Sequence, residues 1–516
     1  MGAVLAYLPL QWGESMPVDA VNTSEGEAFH MARNPFDEPS KRRRHDGYAW
    51  WFSTDMFRTD NTDERTARKR SIGYRMSQHP GQLTIIYFLV LVAFVTALLL
   101  TPIATQDHTT TPFSTAFFTA VSALSTCGIS IVNTTQHWSI FGQVVLIFAV
   151  QLGGLGVMTF ASLIALAINR HLKATQRLLT ANELGTNKLN EVRSVLAVVL
   201  TITFSIEAIT FISLFPGLSR VNKGDVGKSL WESLFFAVMA YNNAGFTPDG
   251  AGLYVGRWEV GMPIMLSAFC GTLGFPVILN LWRTARAHKG PRHLNLHTKV
   301  TLLTTFIIVL ISLCWFLVVE WNNQALFHDA NIEERMRRGV VAAVMPRSSG
   351  FDLSWVPKVS EPTKVFMSLV MFIGGGSTST AGGIRVTTLA VIFLVCKTAF
   401  SGHTDVNVFH RRIHTRVIMT AVSITTSCLA LVFIASIALM MIENASFSHA
   451  LFDACSAFGL GGYSVGVANA DYPASLYVLA FTMLIGRLGP MTIAYAVGRP
   501  NVVEAVHYPT DQIVVG

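Results

Sequence analysis

Charge is what this chain has least of. Asp, Glu, Lys and Arg supply 13% of its 516 residues, where a soluble protein carries about a quarter. That scarcity excludes an ordinary soluble globular domain. The patterns that mark chemistry are missing as well. Six cysteines (Cys127, Cys270, Cys314, Cys396, Cys428 and Cys455) include no CxxC pair and sit in apolar surroundings, which argues against a disulfide framework and against a metal centre. The histidines lie mostly in loops, as at His288, His293, His297, His403, His410 and His414, without metal-ligand spacing. No GxGxxG follows a strand, and no glycine run ends in GK[ST], so the chain carries no nucleotide fingerprint of its own. No catalytic constellation is visible, and the chain is not expected to be an enzyme.

What is present instead is apolar sequence. Hydrophobic residues make up 51%, the mean hydropathy is +0.45, and several runs approach the roughly 20 residues that cross a bilayer. The expectation is an all-α integral membrane protein. A formal charge of +7 would suggest nucleic acid until it is located. Of 38 Lys and Arg, 11 precede residue 81, and the loops 169–193, 282–299 and 397–416 hold 5, 5 and 4 more. That distribution is a topology signal, with those loops and both termini on the cytoplasmic side and eight spans between. The loop around 320–338 mildly violates the rule, its arginines offset by Glu320, Glu333 and Glu334. Residues 1–80 read as a basic, disordered cytoplasmic arm. Its KRRR (Lys41 to Arg44) is an orientation signal, with anionic lipid headgroups as the alternative role. The arm has no secretory signal, and Met31, Met56 and Met76 offer later starts.

One short pattern recurs four times. Ser122 to Ser130 reads SALSTCGIS, Met239 to Thr247 MAYNNAGFT, Val344 to Asp352 VMPRSSGFD, and Ser456 to Ser464 SAFGLGGYS. Stacked without gaps, they align Gly128, Gly245, Gly350 and Gly462, at steps of 117, 105 and 112 residues. Each stretch follows a short amphipathic segment (113–125, 228–241, 332–346 and 447–458). Each such segment lies between two long apolar ones: 83–101 and 139–168, 194–215 and 259–281, 299–320 and 362–399, 416–442 and 473–497. The short segments are too brief to span, so they re-enter from outside. The chain thus divides into repeats over 81–192, 193–298, 299–414 and 415–500, with a cytoplasmic tail at 501–516. The fold expected is four pseudo-repeated helix–pore-loop–helix units around one pore.

Irregular backbone at membrane depth survives only where it is buried or lines water. A dehydrated cation needs oxygen ligands in place of its hydration shell, and a ring of backbone carbonyls supplies them. Aiming successive carbonyls at one axis needs residues with φ > 0, which glycine adopts without a Cβ clash. The partly negative C-terminal ends of the short helices favour a cation. No acidic ring accompanies the stretches, so a monovalent ion fits better than a divalent one. Glycines serving helix packing alone are the bland alternative.

On these residues the chain resembles the Trk/Ktr/HKT superfamily of potassium transporters, most closely the Ktr-type membrane subunit, over about residues 80 to 516. The resemblance maps the family's filter glycines onto Gly128, Gly245, Gly350 and Gly462, and NNAGF at Asn242 to Phe246 and the RxxGF form at Arg347 to Phe351 fit it closely. It implies K+ held at the carbonyls of Thr126, Cys127, Gly128 and Ile129; Asn243, Ala244, Gly245 and Phe246; Ser348, Ser349, Gly350 and Phe351; and Leu460, Gly461, Gly462 and Tyr463. A serine at the first position accompanies sodium transport in related proteins; Gly128 implies potassium. The fourth stretch departs, with Leu460-Gly461-Gly462-Tyr463 where the family often has Thr-Val-Gly-Leu. The resemblance further implies a bacterial plasma membrane, a homodimer, and a separate cytosolic ring of nucleotide-binding subunits. Sodium-permeable or weakly selective conduction is the nearest rival, and a non-conducting sensor or scaffold the rival from another class.

Within the third unit, Gly374-Gly375-Gly376-Ser377-Thr378-Ser379-Thr380-Ala381-Gly382-Gly383 cannot hold a continuous helix cheaply, since each glycine costs up to about 1 kcal/mol against alanine. We read it as a flexible barrier beneath the glycine stretches, and the resemblance implies an intramembrane gating loop at this place. Arg487, in a GRLGP context, is a mid-span arginine expected to face the cavity and contact loop carbonyls; a structural ion pair is its alternative. Arg385 closes the loop, either reaching the pore or snorkelling inward. Glu207, alone in a span, is expected to pair with an arginine or stay protonated in a structural role. Glu232 and Asp453 are expected to brace the glycine stretches, and Arg347 to tie the third one to a carboxylate.

Overall fold

The computed structural model describes residues 80–156, 192–248, 257–286, 294–327, 331–347, 349–351, 355–403 and 405–489. The arm before residue 80, loop 169–191, Ser348 and the tail lie outside the described residues. Among the described residues, helices carry nearly all the regular structure, most of it in fourteen that are longer than four residues. In chain order they are α1 (Pro80–Leu99), α2 (Phe113–Ser125), α3 (Ile140–Gly154), α4 (Val192–Val221), α5 (Val226–Asn242), α6 (Trp258–Leu273), α7 (Phe275–Arg286), α8 (Leu296–Val319), α9 (Ile332–Val344), α10 (Glu361–Phe372), α11 (Val386–Phe400), α12 (Thr415–Glu443), α13 (Phe447–Gly459) and α14 (Pro473–Leu488). Among the described residues, three helical stretches, Ala197–Val221, Leu296–Val319 and Thr415–Glu443, are long and apolar enough to cross a membrane by themselves. Large apolar side chains stand exposed along them, including Phe306, Val318, Phe433, Ile434 and Met441. In water such a surface would be unfavourable; against lipid tails it is not.

The short helices are started by their sequence. Asp225 accepts from the Lys228 amide at the head of α5 (3.0 Å), and Ser446 accepts from the His449 amide at the head of α13 (3.4 Å). Acidic Glu333 and Glu334 occupy the first turn of α9 and pair with Arg337 and Arg338 one turn on. Packing then runs in a cycle. The helix after each glycine stretch packs against the short helix of the next unit: α3 on α5, α6 on α9, α10 on α13, and α14 back on α2.

Two expected segments differ. The apolar run 259–281 is not one helix: α6 and α7 meet at Gly274 with a 101° bend. Gly274 has φ +87°, and a Cβ there would come within 2.4 Å of the Ser377 carbonyl oxygen. The loop of the third unit lies in the elbow, and its amides take the carbonyls that the break sets free. Gly376 N–H donates to Thr272 O (2.8 Å) and Thr380 N–H to Gly271 O (3.3 Å). The second difference is a two-residue hairpin in loop 397–416, pairing β1 (Asn407–Val408) with β2 (Arg411–Arg412). Phe409 and His410 turn it with φ of 46° and 61°, without the Gly, Asn or Asp that usually announces such a turn.

Outside the spans, the carboxylate of Glu320 holds the third unit together. It is fully buried at the end of α8 and accepts from the Ser360 amide (3.1 Å), the Ser360 hydroxyl and the Asn323 amide (2.6 Å). Burial raises its pKa, but the hydrogen bonds from Asn323, Ser360 and Thr363 outweigh that and hold it below the usual range. Its stabilisation is therefore complete above the ordinary Glu value of about 4.3 and fades as pH falls through the lower native value. Glu320→Ala should destabilise the protein by about 1.5–3 kcal/mol at pH 7. In thermal unfolding in detergent, the gap between variant and wild type should close on acidification.

Candidate functional site

Three of the short helices end alike. At α2, α5 and α13 the residue after the last turn is left-handed: Thr126 (φ 60°), Asn243 (φ 58°) and Leu460 (φ 55°). None is glycine, and a left-handed L-residue costs roughly 1–2 kcal/mol. The strain is offset by bonds that close each helix end. Cys127 N–H donates to Ser122 O (2.9 Å), Ala244 N–H to Met239 O (2.9 Å) and Gly461 N–H to Ser456 O (2.8 Å). The third short helix differs, running from α9 through a 3₁₀ turn at Met345–Arg347.

Two residues beyond each of these three left-handed turns stands an aligned glycine, and with Gly350 of the third stretch the four meet. A Cβ on Gly128 would lie 1.8 Å from Gly245 N, and one on Gly245 2.7 Å from Ser349 O. On Gly350 it would lie 2.5 Å from Gly462 Cα, and on Gly462 2.7 Å from Cys127 O. The contacts run first to second to third to fourth and back to first, so the ring is closed. A side chain at any of these places would displace a neighbouring backbone. Thr126, Cys127, Ile129, Asn243, Ala244, Phe246, Ser349, Phe351, Leu460 and Tyr463 are all buried. The Tyr463 hydroxyl donates to Phe351 O (2.8 Å), joining the fourth stretch to the third. Asp453, fully buried, accepts from the Ser464 hydroxyl (2.6 Å) and the amides of Val465 (2.9 Å) and Ala468 (3.0 Å), which fixes the chain leaving Gly462.

The loop 374–383 is held against these turns. Gly374 N–H donates to Ile384 O and Ile384 N–H to Phe372 O, so the loop's two ends pair (3.0 and 3.1 Å). Gly383 N–H donates to Phe458 O at the end of α13 (3.2 Å), and Gly382 packs on Leu460. The Arg385 guanidinium turns into the loop, donating to Ala381 O (2.6 Å), Ser379 Oγ (3.3 Å) and Gly376 O (3.4 Å). Arg487 donates to Thr380 O (2.5 Å) and to Gly153 O, bridging the loop to the end of α3.

Several placements correct the sequence reading. Arg347 is buried and donates to the Gly374 carbonyl (3.1 Å), with no carboxylate paired to it among the described residues. Glu232 accepts from Asn222 (2.6 Å) and pairs with Lys228 (3.6 Å), bracing the entry to α5 rather than a glycine stretch. For Glu207 only the arginine alternative falls, with none beside it among the described residues; in keeping with the structural alternative it accepts from Gln151 (3.4 Å) and Asn242 (3.2 Å), directly behind the second stretch. One signal went unread. Gly153 to Gly156, Gly271 to Gly274 and Gly486 to Gly489 all read GxLG. In each, a Cβ on the first glycine would meet the last carbonyls of a short helix (Leu124, Tyr241 and Phe458 O, at 2.0–2.1 Å), and the last glycine has positive φ.

This geometry has known counterparts. The model of a cation transport protein family, TrkH, matches residues 62–501. The Ktr system potassium uptake protein B of Bacillus subtilis (strain 168) is 31% identical over 441 residues, which are 85% of this chain and 97% of that protein. The potassium/sodium uptake protein NtpJ of Enterococcus hirae is 28% identical over 459 residues, 87% of this chain and all of that one. Among solved structures, the potassium transporter TrkH from Vibrio parahaemolyticus superposes with a TM-score of 0.61 at 15% identity, covering 80% of this chain and 84% of its own. With a family match running through nearly all the described helices and the closed ring of glycines, the chain belongs to the TrkH family of cation transport proteins.

Proposed function

We propose that this protein takes potassium into the cell across a bacterial plasma membrane, through one pore built from four repeated units and eight spans with both termini cytoplasmic. The observation that carries the reading is the closed ring in which Gly128, Gly245, Gly350 and Gly462 approach one another's backbones. Four stretches that close have one axis, and carbonyls facing that axis can replace the water of an alkali ion. In this reading the carbonyls of Thr126–Ile129, Asn243–Phe246, Ser348–Phe351 and Leu460–Tyr463 select the ion. The C-terminal ends of α2, α5 and α13 add partial negative charge. The loop 374–383 obstructs the path below, and the Arg487 guanidinium adds a positive barrier while holding the loop shut. We infer in addition a homodimer and a separate cytosolic regulatory subunit that binds nucleotide; the relatives named as parts of a Ktr system support the separate subunit.

A second reading has its own support. Leu460 offers no side-chain hydroxyl and Gly461 adds freedom in the fourth stretch, and one relative is named for both potassium and sodium. Weakly selective conduction would follow.

Reconstitution in liposomes with rubidium and sodium as tracers tests both: rubidium well above sodium is expected, and comparable fluxes would favour the second reading. Gly462→Asp should abolish uptake while the protein still inserts, because the new side chain meets the Cys127 carbonyl; normal rubidium uptake by this variant would sink the filter assignment. Arg487→Gln, or deletion of 374–383, should raise flux severalfold in well-folded protein, and an unchanged or lower flux would refute the gate.

A further inference from the structure

Thr380 is the one loop residue whose every polar group is bonded to another unit. Its side chain is buried, with 1% of its surface exposed. Its amide donates to Gly271 O in the second unit (3.3 Å). Its carbonyl accepts from the Thr126 hydroxyl in the first (3.0 Å) and from Arg487 in the fourth (2.5 Å). Its hydroxyl accepts from Asn243 Nδ2 (2.6 Å) and donates to Tyr241 O (3.4 Å), both in the second. Thr126 and Asn243 are two of the strained left-handed residues from which the glycine stretches start. The other loop hydroxyls stay within the third unit: Ser377 pairs with Thr387 (3.3 Å), and Thr378 donates to Ser377 O (2.6 Å).

We propose that Thr380 is a positioning residue for ion selection: it pins the left-handed turns at Thr126 and Asn243, and so fixes where the first two stretches point their carbonyls. This rests on the pore reading above and goes beyond it, because there the loop only obstructs. The loop as placed completes the filter from below. When it swings away, the Thr126 hydroxyl loses the Thr380 carbonyl and the Asn243 side-chain amide loses the Thr380 hydroxyl. Opening the path and relaxing the selection are then one event.

The test compares rubidium and sodium flux in liposomes for wild type, Thr380→Val, Thr380→Ser and Ser377→Ala. Valine keeps the shape and the backbone bonds and removes only the hydroxyl. Of the two bonds the hydroxyl makes, loss of the one to Asn243 should lower the rubidium-to-sodium ratio about three- to tenfold, the range that a single buried hydrogen bond spans. Serine should restore the ratio. Ser377→Ala removes a hydroxyl that bonds within the third unit and leaves every bond of Thr380 in place, so it should leave the ratio alone. Thr380→Ala, with the same expected loss, replaces the valine variant should that fail to insert. A hydroxyl-free variant as selective as a conducting wild type overturns the inference and leaves the pore reading standing, as does an equal loss of ratio in Ser377→Ala. A wild type that carries neither ion overturns both.

Discussion

A helix that stops inside an apolar layer leaves amides and carbonyls that only the protein can satisfy. The rest of this structure depends on how those groups are partnered. Where α6 breaks, its freed carbonyls at Gly271 and Thr272 receive amides of the loop. Where α10 breaks, Gly374 and Ile384 pair the loop's two ends. Where α13 ends, Phe458 O takes the Gly383 amide. Each interruption is the partner of another, so the broken elements have to lie at one depth and in contact. The loop is thereby tied to the second and fourth units by backbone bonds that no side-chain substitution removes.

Arginine supplies what the backbone leaves over. Arg347, Arg385 and Arg487 all point their guanidinium groups at carbonyl oxygens of the loop. A planar fork with five donors suits several carbonyls better than a lysine's point charge does. A desolvated arginine needs such acceptors, and loop carbonyls turned away from helix ladders need such donors. The two needs cancel at the same place, beneath the ring of glycines.

Much of this was readable beforehand, and for physical reasons. The aligned glycines are fixed by close backbone approach, which tolerates no side chain, so they persist in the letters at 128, 245, 350 and 462. The short helix expected over 113–125 runs over those residues, because its apolar period and its limits both show in the sequence. The elbow at Gly274 was hidden, since its cause is the Ser377 carbonyl of another unit and nothing in 259–281 alone demands a bend. Its trace was the GxLG spacing, legible only once three copies are compared. The partners of Arg347 and Glu232 were misjudged for a related reason: a carboxylate is the obvious partner for an arginine in a sequence, whereas freed carbonyls appear only when helices are seen to break. The roles of Thr126, Asn243 and Thr380 toward one another depend on contacts across 254 and 137 residues of chain, which composition and period do not report.

The cyclic packing has a consequence for how the molecule is made. Because α14 lies against α2, the short helix of the first unit waits for a helix near the end of the chain before that face is covered. Synthesis proceeds from the N-terminus at about 5–20 residues per second, and 347 residues separate the end of α2 from the start of α14, a wait of roughly 20–70 seconds. During that interval the half-built circle has an open seam, and lipid or the insertion machinery has to shield it. A chain cut short before Pro473 keeps the seam for good, because the helix that covers α2 is then never made.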